Sequence, residues 1–179
     1  MKDYTLKVHT IDGCSAISFP YFGIYVRDAA IINGEVKYPH SVRRKAGKTV
    51  LDASGNPIKD AVYHPMGAFK NEFEDWLRDV VRTGRCSTID LDAPDVYAYV
   101  TPRNFGSDLL AFVCLNYRGL IIDDIALKKD ASGNLLLTMP HRSIVGPDGT
   151  RHPVDLVEII DPNEYNRIMD LILDKYQIG

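Results

Sequence analysis

Alternation of apolar and polar positions dominates this chain, and alternation predicts strands. Residues 4–11 alternate, residues 16–26 read as strand with turns around Pro20 and Gly23, and residues 28–32 are apolar after one Asp. Asn33-Gly34 is the dipeptide of a type I′ hairpin turn, which needs positive φ at both positions. Residues 36–38 form the return strand, and Pro39 ends it. Ser54-Gly55-Asn56-Pro57 is a turn, and residues 60–63 lead into His64-Pro65, with His64 read as a helix-entry residue. Phe69, Phe73, Trp76, Leu77 and Val80 then recur at helical spacing, and Gly84 suits the residue that closes the helix.

The second half repeats this order. Residues 95–100 alternate and are rich in Tyr and Val, 101–108 hold loop residues, and 109–115 are an apolar run of buried-strand length. A turn at Tyr117-Arg118-Gly119 precedes a strand over 120–127, interrupted by Asp123-Asp124. After turn chemistry at 129–134, a strand over 135–139 ends at Pro140, and Gly146-Pro147-Asp148-Gly149 makes another turn before the apolar stretch 154–160. Asp161-Pro162 reads as N-cap and first helical residue, with Glu164 in the first turn. Tyr165, Ile168, Met169, Ile172, Leu173 and Tyr176 complete one apolar stripe.

Landmarks align between the halves: Asp28 with Asp124, Pro39-His40 with Pro140-His141, Asp60 with Asp155, and Pro65 with Pro162. The helix stripes match as Phe69 with Tyr165, Phe73 with Met169, and Trp76-Leu77 with Ile172-Leu173. The sequence therefore reads as an internal duplication, with repeats over 1–86 and 94–179 and a polar, acidic linker over 87–93. A unit of about 85 residues buries only about two-thirds of its unfolded surface, so two such units gain by packing together. The expected fold class is α+β: two repeats, each an antiparallel β-sheet with a C-terminal helix, packed as an intramolecular pseudo-dimer.

Composition narrows the class. Of 179 residues, 45% are hydrophobic and 25% charged, as in ordinary globular proteins, which argues against disorder and against a rod. No apolar run is long enough to span a bilayer, and the charged, alternating start does not resemble a signal peptide. Cys14, Cys86 and Cys114 are odd in number and widely spaced, which suits a reducing cytoplasm better than a disulfide framework. Residues 1–88 carry 13 Lys/Arg against 10 Asp/Glu, a net of +3, whereas residues 89–179 carry 8 against 14, a net of −6. A global basic field is absent, so any anionic partner must be met by a local patch.

The second repeat resembles the SpoVG (stage V sporulation protein G, septation regulator) family. The resemblance rests on Ile121-Ile122-Asp123-Asp124-Ile125, on Asn134-Leu135-Leu136-Leu137-Thr138-Met139-Pro140, on Pro147-Asp148-Gly149, and on Asp155 with the capped helix from Pro162. It covers the second repeat and, more faintly, the first. It implies a small α+β unit that forms homodimers, here fused in tandem, and a non-catalytic regulator that binds DNA or RNA. Family members carry their basic cluster just after the Met-Pro strand end. In this chain that place holds Arg43, Arg44 and Lys45 after Pro39 in the first repeat, but only Arg142 and, past a turn, Arg151 in the second.

Lys37, Arg43, Arg44, Lys45 and Lys48 lie within twelve residues that contain no acid, and Ala46-Gly47 adds backbone flexibility. Outward-reaching cations suit phosphate, and Arg suits bidentate contacts. These five with Arg142 and Arg151 are the expected nucleic-acid-binding residues; charge patterning alone favours a solvated surface loop, and the family position is what raises the binding reading. The alternative function is a protein-interaction module with a degenerate nucleic-acid site, which the sequence pI of about 5.9 favours. The chain is expected to be a monomeric pseudo-dimer or to assemble further.

No metal-ligand spacing, glycine-rich phosphate loop or nucleophile motif is present, so no enzyme, metal or cofactor is expected. His40 and His141, each directly after a proline, suit turns. Asp123 and Asp124, as strand neighbours, should face opposite ways and share no site. Phe69, Phe73 and Trp76 read as core. Tyr97 and Tyr99 share a strand face and could stack bases, but are read first as sheet packing, and Phe105 is a further aromatic of this region.

Overall fold

A computed structural model describes residues 1–103 and 106–178; Phe105 lies outside the described residues. The chain is α+β, and its strand pairs are antiparallel. In the first half, β1 (Lys7–Ile11), β2 (Cys14–Tyr21) and β3 (Ile24–Ile32) form a meander, and β4 (Glu35–Lys37) folds back on the end of β3. Asn33 and Gly34 join β3 to β4 with φ of 51° and 83°, the conformation a type I′ turn requires. A projecting arm follows, in which β5 (His40–Val42) pairs with β8 (Lys59–Ala61), and β6 (Arg44–Lys45) pairs with β7 (Lys48–Thr49). Next come β9 (Tyr63–Pro65), a 3-10 turn at Gly67–Phe69, and α1 (Lys70–Thr83), which Gly84 ends in the left-handed region.

The second half has β10 (Tyr97–Pro102), β11 (Leu109–Tyr117), β12 (Leu120–Lys129) and β13 (Leu135–Thr138) as its meander. Its arm is the hairpin β14 (His141–Val145) and β15 (Arg151–Asp155), followed by β16 (Val157–Ile159) and α2 (Pro162–Ile178). Asp161 caps α2 as its sequence indicates: its carboxylate accepts from Asn163 N–H at 2.9 Å. Among the described residues no helix is long and apolar enough to cross a membrane.

The two halves exchange strands. β16 pairs with β3 of the first half, placing Val157 opposite Val26 and Ile159 opposite Ile24. β9 pairs with β12 of the second half, placing Tyr63 opposite Ile122 and Pro65 opposite Leu120. One apolar core therefore runs through both halves, and it includes Phe19, Tyr21, Phe73 and Leu77 with Leu115, Tyr117, Ile168 and Ile172. Each sheet also carries a bulge. The register shifts between Ile17 and Phe19 in β2 and between Val113 and Leu115 in β11. The residues facing these shifts, Asp28 and Asp124, have φ of 65° and 60°.

Two details depart from the sequence alignment. Pro65 lies within β9 whereas Pro162 opens α2, so this landmark pair falls in different elements. The most buried helical positions are Phe73 and Leu77 in α1 and Ile168 and Ile172 in α2, so Phe73 corresponds to Ile168 rather than Met169.

Glu158 on β16 clamps the first exchange. Its carboxylate accepts from Tyr4 Oη at 2.6 Å, Lys2 Nζ at 2.7 Å and Arg27 at 3.0 Å. Burial raises its pKa, but the three donors together outweigh burial and hold it below the ordinary glutamate range. A carboxyl depressed by folding contributes stability that is present above its unfolded pKa and lost as pH falls through the folded one. Nearby Asp155 is raised, by burial and by Glu158, and offsets part of this. Glu158→Gln is expected to cost about 1.5–3 kcal/mol at neutral pH, the range for hydrogen bonds to a charged group. The difference from wild type should be constant at neutral pH, begin to shrink as pH falls through the ordinary glutamate pKa of about 4.3, and vanish only below the depressed pKa of folded Glu158, as denaturant melts against pH would reveal.

Candidate nucleic-acid interface

The arm is a strand ladder because its turns demand one. Ala46 and Gly47, expected to be flexible, have φ of 50° and 76° and close β6 onto β7. Arg43 N–H then donates to Ile58 O at 2.8 Å and Val50 N–H to Arg43 O at 2.9 Å, so the backbone that carries the cations is fixed.

The expected cations separate into two groups. Lys37 is paired with Glu35 at 2.7 Å. Arg43 makes two hydrogen bonds to Asp60, at 2.8 and 2.6 Å, which raise the guanidinium pKa and lower that of the carboxyl. Arg142 is paired with Asp28 at the bulge of the first sheet. Among the described residues Arg44, Lys45, Lys48 and Arg151 have no ion pair, and all four are exposed. The acid-free sequence window thus acquires carboxylate partners from outside itself.

Each arm docks on the bulge of the opposite half. Ser41 Oγ donates to Asp124 at 3.0 Å, and Arg142 meets Asp28 at the corresponding place. Between the first arm and the second sheet lies an open groove of about 770 Å³. The arm contributes Arg43, Arg44 and Asp60 to its wall, and β9 contributes His64, which is a strand residue rather than a helix-entry residue. The sheet contributes Tyr99, Phe112, Cys114, Asp123 and Asp124. Asp123 and Asp124 therefore line one groove, because the positive φ of Asp124 breaks the alternation that would have separated them. Burial and the Asp123 carboxylate push the Cys114 thiol up to about 12.

Sheet packing does not cover the aromatics. Tyr97 is 45% exposed, Tyr99 62% and Phe112 43%. Tyr97 and Tyr99 meet edge to face at 4.9 Å, Arg103 lies over Phe112 at 4.9 Å, and Lys175 of α2 lies over Tyr97 at 5.1 Å. Phe112 and Arg103 were missed in the sequence: Phe112 sits in a continuous apolar run, and Arg103 in a loop.

A smaller groove of about 450 Å³ lies against the first sheet and is lined by residues such as Lys7, Ala16, Ser18 and Asp28. Lys7 pairs with Ser18 as Tyr99 pairs with Cys114, so Lys7 and Ala16 occupy the places that Tyr99 and Phe112 take in the second sheet. Comparison with protein-family models, with curated proteins and with solved structures finds no match for this chain.

Proposed function

We propose that the chain is a SpoVG-like tandem repeat, folded as an intramolecular pseudo-dimer, that binds DNA or RNA as a non-catalytic regulator. The pseudo-dimer reading is supported by the reciprocal exchange of β9 and β16 and by the two bulges at Asp28 and Asp124. The binding reading is carried by one observation: among the described residues Arg44, Lys45 and Lys48 have no carboxylate partner, and they share one hairpin whose Arg44 lines the larger groove. Arg43 then orients the arm through Asp60, and Lys37 and Arg142 contribute less because their charge is already met. Arg151, exposed on the second arm, is a further phosphate contact.

The alternative, a protein-interaction module, is favoured by Asp60, Asp123 and Asp124 in the groove wall, which repel phosphate. Anisotropy titrations with duplex DNA and single-stranded RNA at 50 and 200 mM salt separate the two. Nucleic-acid binding should weaken steeply with salt, with a slope of about −0.9 per phosphate neutralised on duplex and about −0.7 on a single strand. The triple variant Arg44→Ala, Lys45→Ala, Lys48→Ala should flatten that slope by about 2–3, whereas Arg43→Ala should change it less. A triple variant that binds like wild type refutes the assignment of this arm.

A further inference from the structure

We infer that the larger groove takes a single strand, with an unpaired base stacked on the exposed rings of Tyr99 and Phe112. The inference deepens the nucleic-acid reading above and rests on it. Tyr99 lies opposite Cys114 and Thr101 opposite Phe112 in the β10–β11 register, so Tyr99 and Phe112 are diagonal neighbours on one face of the sheet. Both rings line the groove, and about half the surface of each is open to solvent. A base within a duplex has both faces stacked on its neighbours and gains nothing from such rings. An unpaired base offers a free face, and base–aromatic stacking is tolerant of base identity.

Charge fixes the orientation of the strand. Arg43 and Arg44 of the arm line one wall, and the Arg103 guanidinium lies over the Phe112 ring. Asp123 and Asp124 lie in the wall beside Cys114 and repel phosphate. The backbone therefore follows the cations and the base points inward, where the carboxylates accept from its N–H donors as Asp and Glu do from cytosine N4. The first-half groove has Lys7 and Ala16 in the corresponding places and only the smaller imidazole of His9 for a ring, so it should hold a base less well.

The test uses the full chain and a fluorescein-labelled 12-nucleotide RNA of mixed sequence, alone and annealed to its complement. Wild type should bind the single strand at least 10-fold more tightly than the duplex. Tyr99→Ala with Phe112→Ala should weaken single-strand binding by about 10-fold to 100-fold per stacked base and leave duplex binding within about twofold. Tyr99→Leu with Phe112→Leu keeps apolar bulk for folding but removes both rings, and should lose the same affinity; Tyr99→Phe should retain it. Equal wild-type affinity for the two RNAs, or single-strand binding unchanged in the leucine variant, overturns the stacking inference. If the triple arm variant still weakens both RNAs in that case, the arm reading survives alone; if neither RNA binds at 50 mM salt, both readings fall.

Discussion

Expressed as separate fragments, residues 1–90 and 91–179 should each fail to fold alone and should fold together when mixed. The first fragment lacks β16, which leaves the β3 backbone at Ile24 to Val26 unpaired and exposes the core face that Val157 covers. The second lacks β9 and α1, so Ile122 and Leu120 lose their strand partner and the ring of Phe69 no longer covers Gly119. Chains of this size are marginal even when their sheets are complete. At low micromolar concentration each fragment should show no cooperative thermal transition by circular dichroism. An equimolar mixture should recover one, with a Tm that rises with concentration because the folded state is then bimolecular. A monomeric fragment that melts cooperatively at the temperature of the whole chain would refute the dependence on strand exchange.

That dependence is what the sequence conveys least. Hairpin turns and caps are local, so Asn33-Gly34, Gly84 and Asp161-Pro162 fall where their residue types place them. β9 and β16 are three residues each, and nothing local in Tyr63-His64-Pro65 or Val157-Glu158-Ile159 says which sheet they join. Their destination is decided by the gap beside β12 and β3, which exists only once both meanders have formed. The bulge is equally hidden. In sequence Asp123-Asp124 interrupts the run from Leu120 to Leu127, but only the fold makes the interruption a bulge, with Asp124 at φ of 60° and Asp123 beside it in the groove.

The site divides in the same way. Arg44, Lys45 and Lys48 stay solvated because the hairpin that carries them projects, and such a solvated basic run is visible in sequence. The neutralisation of Arg43 is not visible there, since Asp60 is 17 residues distant and reaches it only through the β5–β8 ladder. Exposure of Tyr97 and Tyr99 is settled by what covers a sheet face. Alternation shows that the two share a face, but not that the face stays open.

Gly119→Ala is expected to be the most damaging single change to folding. Gly119 has φ of +90°, a region that L side chains avoid, and it forms the hairpin between β11 and β12. A Cβ there would lie 2.7 Å from Phe69 Cε1 and 2.9 Å from Cγ. That ring is 4% exposed and packs on Phe73, so it has little room to withdraw. Backbone strain of about 1–2 kcal/mol and overpacking of about 1–3 kcal/mol together predict a loss of about 2–5 kcal/mol. For a chain of this length that lowers Tm by roughly 5–15 °C. Gly23 in the other hairpin is the comparison for backbone strain, because its φ is not positive, although a Cβ there would also crowd Glu164 Cβ at 3.0 Å and Asp161 Cβ at 3.2 Å. Gly23→Ala presses on the base of the Glu164 side chain at the first turn of α2 and strains the 2.8 Å hydrogen bond that Glu164 accepts from Tyr117 Oη, an overpacking loss of about 1–3 kcal/mol without the backbone part. Phe69→Leu separates the two causes at Gly119, since a smaller side chain relieves the clash but not the backbone. The double variant should therefore be more stable than the sum of the two single losses predicts, with the backbone part remaining. Additive losses at Gly119 and Phe69 would show that the ring of α1's leading turn does not seat against the second hairpin.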